Sequence, residues 1–561
     1  MESWRKPAFL VLLALQLGLV WTFPRYATQD GPSHLYNAGI IAGLHSGMWP
    51  GLSEFFRINP KLVPNWTTYF LLIQFMKVCS AAVAGKILVS IYIVLFALSF
   101  WWVAEVVRPG SDEFRIWGLV LAGNWFLSMG FYNFCYGLVL FLLCFGYWFK
   151  WRKSFAIRQC LVLLVLTSLL YLTHFFCFLM AAFLIVVTGT AICLGEARQG
   201  ERSGGASRNF AKLFLRSVFL PELCFLVFLL LKPFTAVGSQ HVAHTAVLPT
   251  LWVIEHRLLF RHGASVFYLL LDRAGTLAKV SILITATFMV AALYWTLRRA
   301  KETISGLSMG LAIFSLVCFA FYLFGVDDYS GTGMLRERTE WFGLLGLFAF
   351  LASRGWNAAG KRWISVAAVM VCATNLLSGA IWRRQVSPLL RSFDEAAQLV
   401  EPGKTILDKC YCHGSNARFA LLDQITVNPF AHAGDITALS GRDIAVANYE
   451  ALGTSFPVEY LPEVNPDLHA PELEDQDKPD IANIADYEEK TGKSVDYVLI
   501  WGEPETAAVN LPDSPLWEQL RGHYVLVYGA SGISSLQLFR KIPKGGSSPE
   551  KSGWMDSKGE S

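Results

Sequence analysis

Long apolar runs separated by short polar or basic joints fill the first two thirds of this chain. After Arg5 and Lys6 an apolar run extends to Phe23. Further runs fall near 84–107, 116–131, 134–149, 159–173, 175–194, 214–231, 277–297, 304–324, 339–354 and 363–382. Crossing the hydrocarbon of a bilayer takes about 20 apolar residues, so these runs predict about eleven membrane-crossing helices. No small-residue cleavage pattern follows the first run, which therefore reads as a signal anchor. The stretches 67–82 and 251–272 are amphipathic but interrupted, and they predict helices lying at the membrane surface.

The basic residues orient this pattern. With the N-terminus in the cytoplasm, the inner joints are Arg108 to Arg115, Lys150 to Arg158, Arg198 to Arg216, Arg298 to Lys301 and Arg354 to Arg362. Each is basic, as the excess of Lys and Arg on the cytoplasmic side requires, and the opposite parity fails. The first loop, the turns near Asn133 and His174, the loops 232–276 and 325–338, and everything after about residue 383 then lie outside.

Beyond 383 the apolar runs stop, and Pro, Asp, Glu and Asn become more frequent. Thr405 to Leu407, Val495 to Trp501, Tyr524 to Tyr528 and Leu536 to Phe539 read as strands, with helical stretches near 392–400 and 515–521. Gly529-Ala-Ser-Gly532 leads into a strand rather than a helix, so it does not qualify as a phosphate cradle. The expected fold class is an all-α polytopic membrane protein over residues 1–382, with its first extracytoplasmic loop at 24–83. A small extracytoplasmic α/β domain follows at 383–542, and a disordered tail at 543–561.

Composition agrees with this picture. Of 561 residues, 54% are hydrophobic and only 16% charged, with a mean hydropathy of +0.42, which excludes an ordinary soluble protein. A formal net charge of +4 gives no electrostatic basis for binding nucleic acid. Most cysteines lie inside apolar runs, where a thiol behaves as a small hydrophobe, and no disulfide framework is implied. Cys410-Tyr-Cys412-His413 lacks a fourth ligand and a second pair at zinc-binding spacing.

The stretch from Phe23 to Leu44 departs from a generic membrane protein. Asp30-Gly31-Pro32 reads as a turn into a helix, with Asp30 able to accept from the first-turn amides and Pro32 tolerated at the helix start. Leu35, Ala38, Ile41 and Ala42 recur at helical spacing, so a helix at the membrane surface is predicted with Asp30 and His34 at one end. Asp30 is the candidate catalytic base, although an Asp in this position commonly only caps a helix. Arg336 and Arg338 lie on the face where basic residues are disfavoured, and Arg suits a phosphate through its fork of donors. His174 at an outer turn is a further candidate for substrate contact. Asp327 and Asp328 could hold a divalent metal such as Mg or Mn, or simply line a solvated loop. His241 and His244 have i,i+3 spacing in a loop-like context. Trp49, Trp66 and Trp252 fit interfacial anchoring.

A signal anchor, an acidic residue just past the first span, interfacial helices, about eleven spans and an extracytoplasmic C-terminal domain together resemble the C-type membrane glycosyltransferases over roughly residues 1–382. The resemblance implies transfer of a sugar, with inversion, from a polyprenyl-phosphate-sugar donor to a lipid, glycan or protein acceptor outside the cytoplasmic membrane. It implies Asp30 as base or metal ligand, where many relatives carry two acidic residues and this chain has Gly31 at the second position. A transporter or flippase for a lipid-linked or polar solute is a rival reading, but such proteins place ionisable residues near the midplane and show paired halves. A non-catalytic envelope assembly protein is a third.

Overall fold

A computed structural model of the protein describes residues 4–61, 63–154, 156–200, 214–219, 221–223, 276–298, 305–326, 333–411, 427–453, 455–475, 478–502, 514–529 and 536–543. Helices dominate it. The first nine are α1 (Arg5–Thr22), α2 (Gly31–Ser46), α3 (Trp66–Met76), α4 (Ala81–Val107), α5 (Trp117–Ala122), α6 (Trp125–Met129), α7 (Tyr132–Trp151), α8 (Ile157–Thr173) and α9 (Phe175–Gly200). They are followed by α10 (Thr276–Arg298), α11 (Gly306–Phe324), α12 (Leu335–Ser353) and α13 (Ala358–Ala397). Among the described residues six are long and apolar enough to cross a membrane: α1, α4, α7, α9, α11 and α13. The protein is a helical membrane protein on that ground.

Several predicted spans take another form. The run 116–131 is not one helix but two short ones, α5 and α6. Gly123 and Asn124 break it, and Asn124 caps α6 by accepting the Leu127 amide at 3.0 Å. Both pieces are buried among other helices, and neither approaches the ~30 Å needed to cross. The run 159–173 forms α8, whose 17 residues are short for a crossing. Half of 214–231, all of 251–272, and His241 and His244 lie outside the described residues.

α13 runs unbroken for 40 residues, about 60 Å at 1.5 Å per residue and twice the hydrocarbon thickness. The expected boundary near 383 is therefore no linker. One helix carries the chain out of the membrane-type bundle and into the C-terminal part.

There the strands predicted from alternation are present, in a mixed five-stranded sheet. β2 (Thr405–Cys410) pairs in parallel with β3 (Ile444–Ala445) on one side and β5 (Tyr497–Trp501) on the other. β7 (Leu536–Lys541) runs antiparallel between β5 and β6 (Tyr524–Gly529). β5 is buried along its whole length, as a central strand covered on both faces must be. Cys410 at the end of β2 is disulfide-bonded, a cross-link that the scattered cysteines of the sequence did not imply.

A second pairing was not visible in the sequence. In the first loop, β1 (Phe56–Ile58) runs antiparallel to β4 (Val458–Tyr460), with Phe56 opposite Tyr460. Arg57 donates to Glu459 at 2.7 Å across this ladder. Arg25, just past α1, adds a fork of hydrogen bonds to Asp394 on α13. The first loop and the C-terminal part form one packed unit.

α2 sits inside that unit and is buried on nearly every side, so it is not the surface helix expected. Its small residues explain how: a side chain at Gly39 would meet Leu439 at 2.6 Å, on the helix α14 (Gly434–Gly441) that packs there. The apolar spacing predicted one buried face, but Ser33, His34 and Asn37 are buried as well, bonded to Asp435, Glu450 and Asn448 of the C-terminal part.

Candidate functional site

Asp30 stands where α1 has ended and α2 has not begun. Its backbone amide donates to the Met129 carbonyl at 2.9 Å, and the amide of Gln29 donates to Ser128 at 3.1 Å. Gly130, at φ +85°, makes this close approach possible: a Cβ there would lie 2.6 Å from the Gly31 nitrogen. The corner 29–31 is thus held by main-chain bonds to the broken element α5–α6.

The Asp30 carboxylate makes no cap bond to α2, although Pro32 stands in the first turn as predicted. It turns instead toward the C-terminal part, where the Tyr449 hydroxyl donates to it. Only 6% of the residue is exposed, and Oδ1 has no hydrogen-bond donor among the described residues. Burial pushes its pKa up from 3.8 to about 7; the charge on His34 and hydrogen bonds from Tyr449 and Gln29 oppose this, and the like charge of Glu450 adds to it. His432 Nε2 lies 3.7 Å from Oδ1, close enough for an ion pair. Burial, with the help of His34, pulls His432 down to about 4, although Glu450 works the other way. The ring is neutral at pH 7 and the contact is not an ion pair.

His34, one turn along α2, is bound differently. Its Nδ1 lies 2.9 Å from Glu450 Oε1 and 3.0 Å from the Tyr69 hydroxyl, and the ring also donates to the Gly130 carbonyl. Burial disfavours a charged ring here. The charge and hydrogen bond of Glu450, with Asp30 and Gly130, outweigh that penalty and raise His34 above its usual value. Glu450 also accepts from Tyr69 and from Asn37 at 2.8 Å, and its Oε1 lies 3.3 Å from the Tyr449 hydroxyl. Every oxygen of this carboxylate is engaged, as a buried carboxylate needs.

α12 approaches the same region from the bundle. The Arg338 guanidinium lies 5.1 Å from the Phe131 ring and 5.5 Å from the Phe134 ring, within electrostatic reach of Asp30 and Tyr449. Its Nη1 is 3.4 Å from His174 Nε2, and its Nε is buried without an acceptor among the described residues. His174 follows α8, stands edge-on to Phe134 and accepts weakly from the Cys177 amide. Arg336 lies 3.6 Å from its neighbour Glu337. Asp327 and Asp328 lie outside the described residues.

The structure therefore gathers Asp30, His34, His174 and Arg338 into one buried region. Sequence reasoning missed Tyr69, His432, Tyr449 and Glu450, which complete it. Tyr449 and Glu450 stand in a four-residue helix, Tyr449–Leu452, too short to give a periodic signal. A divalent metal does not fit this donor set: Asp30 Oδ1 is open, but the nearest second carboxylate, Glu450, is fully hydrogen-bonded. Among the described residues no three His, Cys, Asp or Glu side chains are placed to hold an ion. No protein-family model matches the chain, and no curated protein is significantly similar to it.

Proposed function

We propose that this protein is a polytopic membrane glycosyltransferase of the C-type, moving a sugar from a polyprenyl-phosphate donor to an extracytoplasmic acceptor with inversion. The observation that carries the reading is Asp30: a buried carboxylate whose pKa lies at about 7, with one oxygen open, within electrostatic reach of the half-buried Arg338. A general base works best when its pKa lies near the operating pH. A carboxylate that only capped a helix would be hydrogen-bonded to amides, with a lowered pKa.

In this reading Asp30 takes the proton of the acceptor hydroxyl as that oxygen attacks the anomeric carbon. The Tyr449 hydroxyl, which donates to Asp30, stands where the acceptor hydroxyl would donate. The bond from the anomeric carbon to the phosphate oxygen breaks, and Arg338 stabilises the charge that develops there, held by His174 and two aromatic rings. His34, held by Glu450, which raises its pKa above the usual value, acts as a positioning residue. Arg336, beside Glu337, has the lesser part in phosphate binding. No step is routed through a metal.

The reading keeps the N-terminus cytoplasmic and the α/β part extracytoplasmic in a plasma membrane. The basic inner joints support that orientation. So does the bond at Cys410, because disulfides persist in oxidising compartments. Mass spectrometry of glycolipids and glycoproteins from cells lacking the gene tests it. A missing or truncated glycan that returns with the wild-type gene, and not with Asp30→Asn, is the expected result; an unchanged glycan profile refutes it.

A further inference from the structure

Behind the Asp30 corner lies a second feature, a narrow cleft, open at its mouth, between α1, α5 and α13. Ser128 forms part of its wall and, through its carbonyl, also holds Gln29, so the cleft and Asp30 stand back to back. Leu19, Ile93 and Leu376 give it apolar surface, yet Gln16, Asn124 and Arg383 line it as well, at 9%, 0% and 4% exposure. Polar groups beside hydrocarbon are costly and mark function more often than structure.

The two amides are in different states. Asn124 is satisfied, donating to the Tyr92 hydroxyl and the Leu121 carbonyl and accepting from Leu127. Gln16 donates to the Leu119 carbonyl at 3.4 Å, but its Oε1 is buried with no donor among the described residues. A buried acceptor in that state calls for a donor such as a hydroxyl.

The other end of the cleft is cationic. Arg383 donates to the Tyr26 hydroxyl at 2.7 Å and to the Gly379 carbonyl at 3.3 Å, with its guanidinium 4.2 Å from the Tyr26 ring centre. A Cβ at Gly379 would lie 2.8 Å from that guanidinium and 3.4 Å from Leu19. The glycine thus leaves room for Arg383 to fold back over the cleft, and it sets the register of α13 against α1. Gln16 lies about one turn deeper than this contact while the Arg383 guanidinium is drawn back to it, so the two groups stand roughly one turn apart along the helices, on the order of 5 Å. On the same two helices Leu15, Leu377 and Ile381 are exposed, as residues facing lipid would be.

We propose that this cleft binds a membrane lipid whose phosphate carries a six-carbon polyol or sugar. The phosphate sits at Arg383, a hydroxyl of the polyol donates to Gln16 Oε1, and the chain lies against the lipid-facing row of α13. A phosphate oxygen and a hydroxyl of the ring it is esterified to span a separation of about one helical turn. The assignment concerns what the cleft holds and stands apart from sugar transfer at Asp30.

Native mass spectrometry of the full-length protein in detergent tests it, with phosphatidylinositol, phosphatidic acid, phosphatidylcholine, polyprenyl phosphate and soluble inositol phosphate as separate probes. Phosphatidylinositol is expected to bind at least tenfold more tightly than phosphatidylcholine. Gln16→Leu removes a buried acceptor without adding a polar group, so the fold is kept. It should lose about tenfold for phosphatidylinositol and nothing for phosphatidic acid. Arg383→Gln should weaken both anionic lipids. Tighter binding of polyprenyl phosphate than of phosphatidic acid assigns the chain as isoprenoid, and the reverse order assigns a bilayer phospholipid; either supports the site. Equal binding of phosphatidylcholine and phosphatidylinositol, an unchanged Gln16→Leu protein, or soluble inositol phosphate binding as well as the lipid overturns it.

Discussion

Replacing Asp30 by Asn should make the protein more stable while it removes sugar transfer, and the gain in stability should depend on pH. In the unfolded chain this carboxyl loses its proton near 3.8, whereas burial holds the native group to about 7. The native state therefore binds the proton more tightly, so stability falls as pH rises from about 3.8 and levels off above about 7. At about 1.4 kcal/mol for each pH unit, the difference is about 4 kcal/mol at pH 8. Asn carries no such cost. It can still accept from Tyr449 and Gln29, and its amide can donate to neutral His432. The lost charge in those hydrogen bonds offsets part of the gain and leaves about 1–3 kcal/mol. Thermal unfolding of wild type and Asp30→Asn in detergent, followed by intrinsic fluorescence from pH 4.5 to 8.5, reads this directly. Tm should rise by a few degrees at pH 8, and the difference should close at pH 4.5. A variant less stable than wild type at pH 8, or a Tm difference that ignores pH, would refute the reasoning and return Asp30 to a structural role.

Other consequences follow from the same geometry. Glu450→Gln leaves His34 buried without its carboxylate and should cost about 3–5 kcal/mol of stability, read as a lower Tm. Because His34 is raised in the folded state, the stability it contributes is fully present below about pH 6.5 and is lost as pH rises through the folded value. The Tm deficit of Glu450→Gln should therefore shrink on the alkaline side. Tyr449→Phe removes a hydrogen bond that lowers the Asp30 pKa, so the acidic limb of the pH–rate profile should move to higher pH; an unmoved limb separates Tyr449 from Asp30. Arg338→Gln should reduce transfer by about 10²–10³, and Arg336→Gln far less, since Arg336 stands beside Glu337. Equal losses would show that the two arginines act as simple helix-end anchors.

The bundle was legible where a single physical rule dominated. Long apolar runs gave α1, α4, α7, α9, α11 and most of α13, and short runs rich in β-branched, aliphatic and aromatic residues gave β2, β5, β6 and β7. The failures share a cause. A window of hydropathy cannot distinguish a crossing helix from apolar pieces such as α5 and α6, buried by protein rather than by lipid, and Asn124 acts there as a cap within an apolar run. Nor could it see that α13 continues past 382, because the change from lipid-facing to domain-facing packing alters composition without breaking the helix. In the site, Asp30 and His34 stood out because polar residues just past a span are uncommon. Arg338 stood out because a cation on that face is. Glu450, Tyr449 and His432 had no such contrast, since they come from a polar segment more than 400 residues away, and Tyr69 looked like one more aromatic in an interfacial helix. Only the pairing of β1 with β4 and the packing of α14 on α2 bring them to Asp30.

The most direct measurement is sugar transfer itself. Wild-type and Asp30→Asn proteins are reconstituted into proteoliposomes with polyprenyl-phosphate sugars and candidate acceptors, and covalent products are resolved by mass spectrometry. A glycosylated product from wild type that falls by about 10²–10⁴ in the variant, at equal insertion, is the expected result. Equal product from both proteins, or solute flux with no covalent product from either, contradicts Asp30 as the base of a transferase.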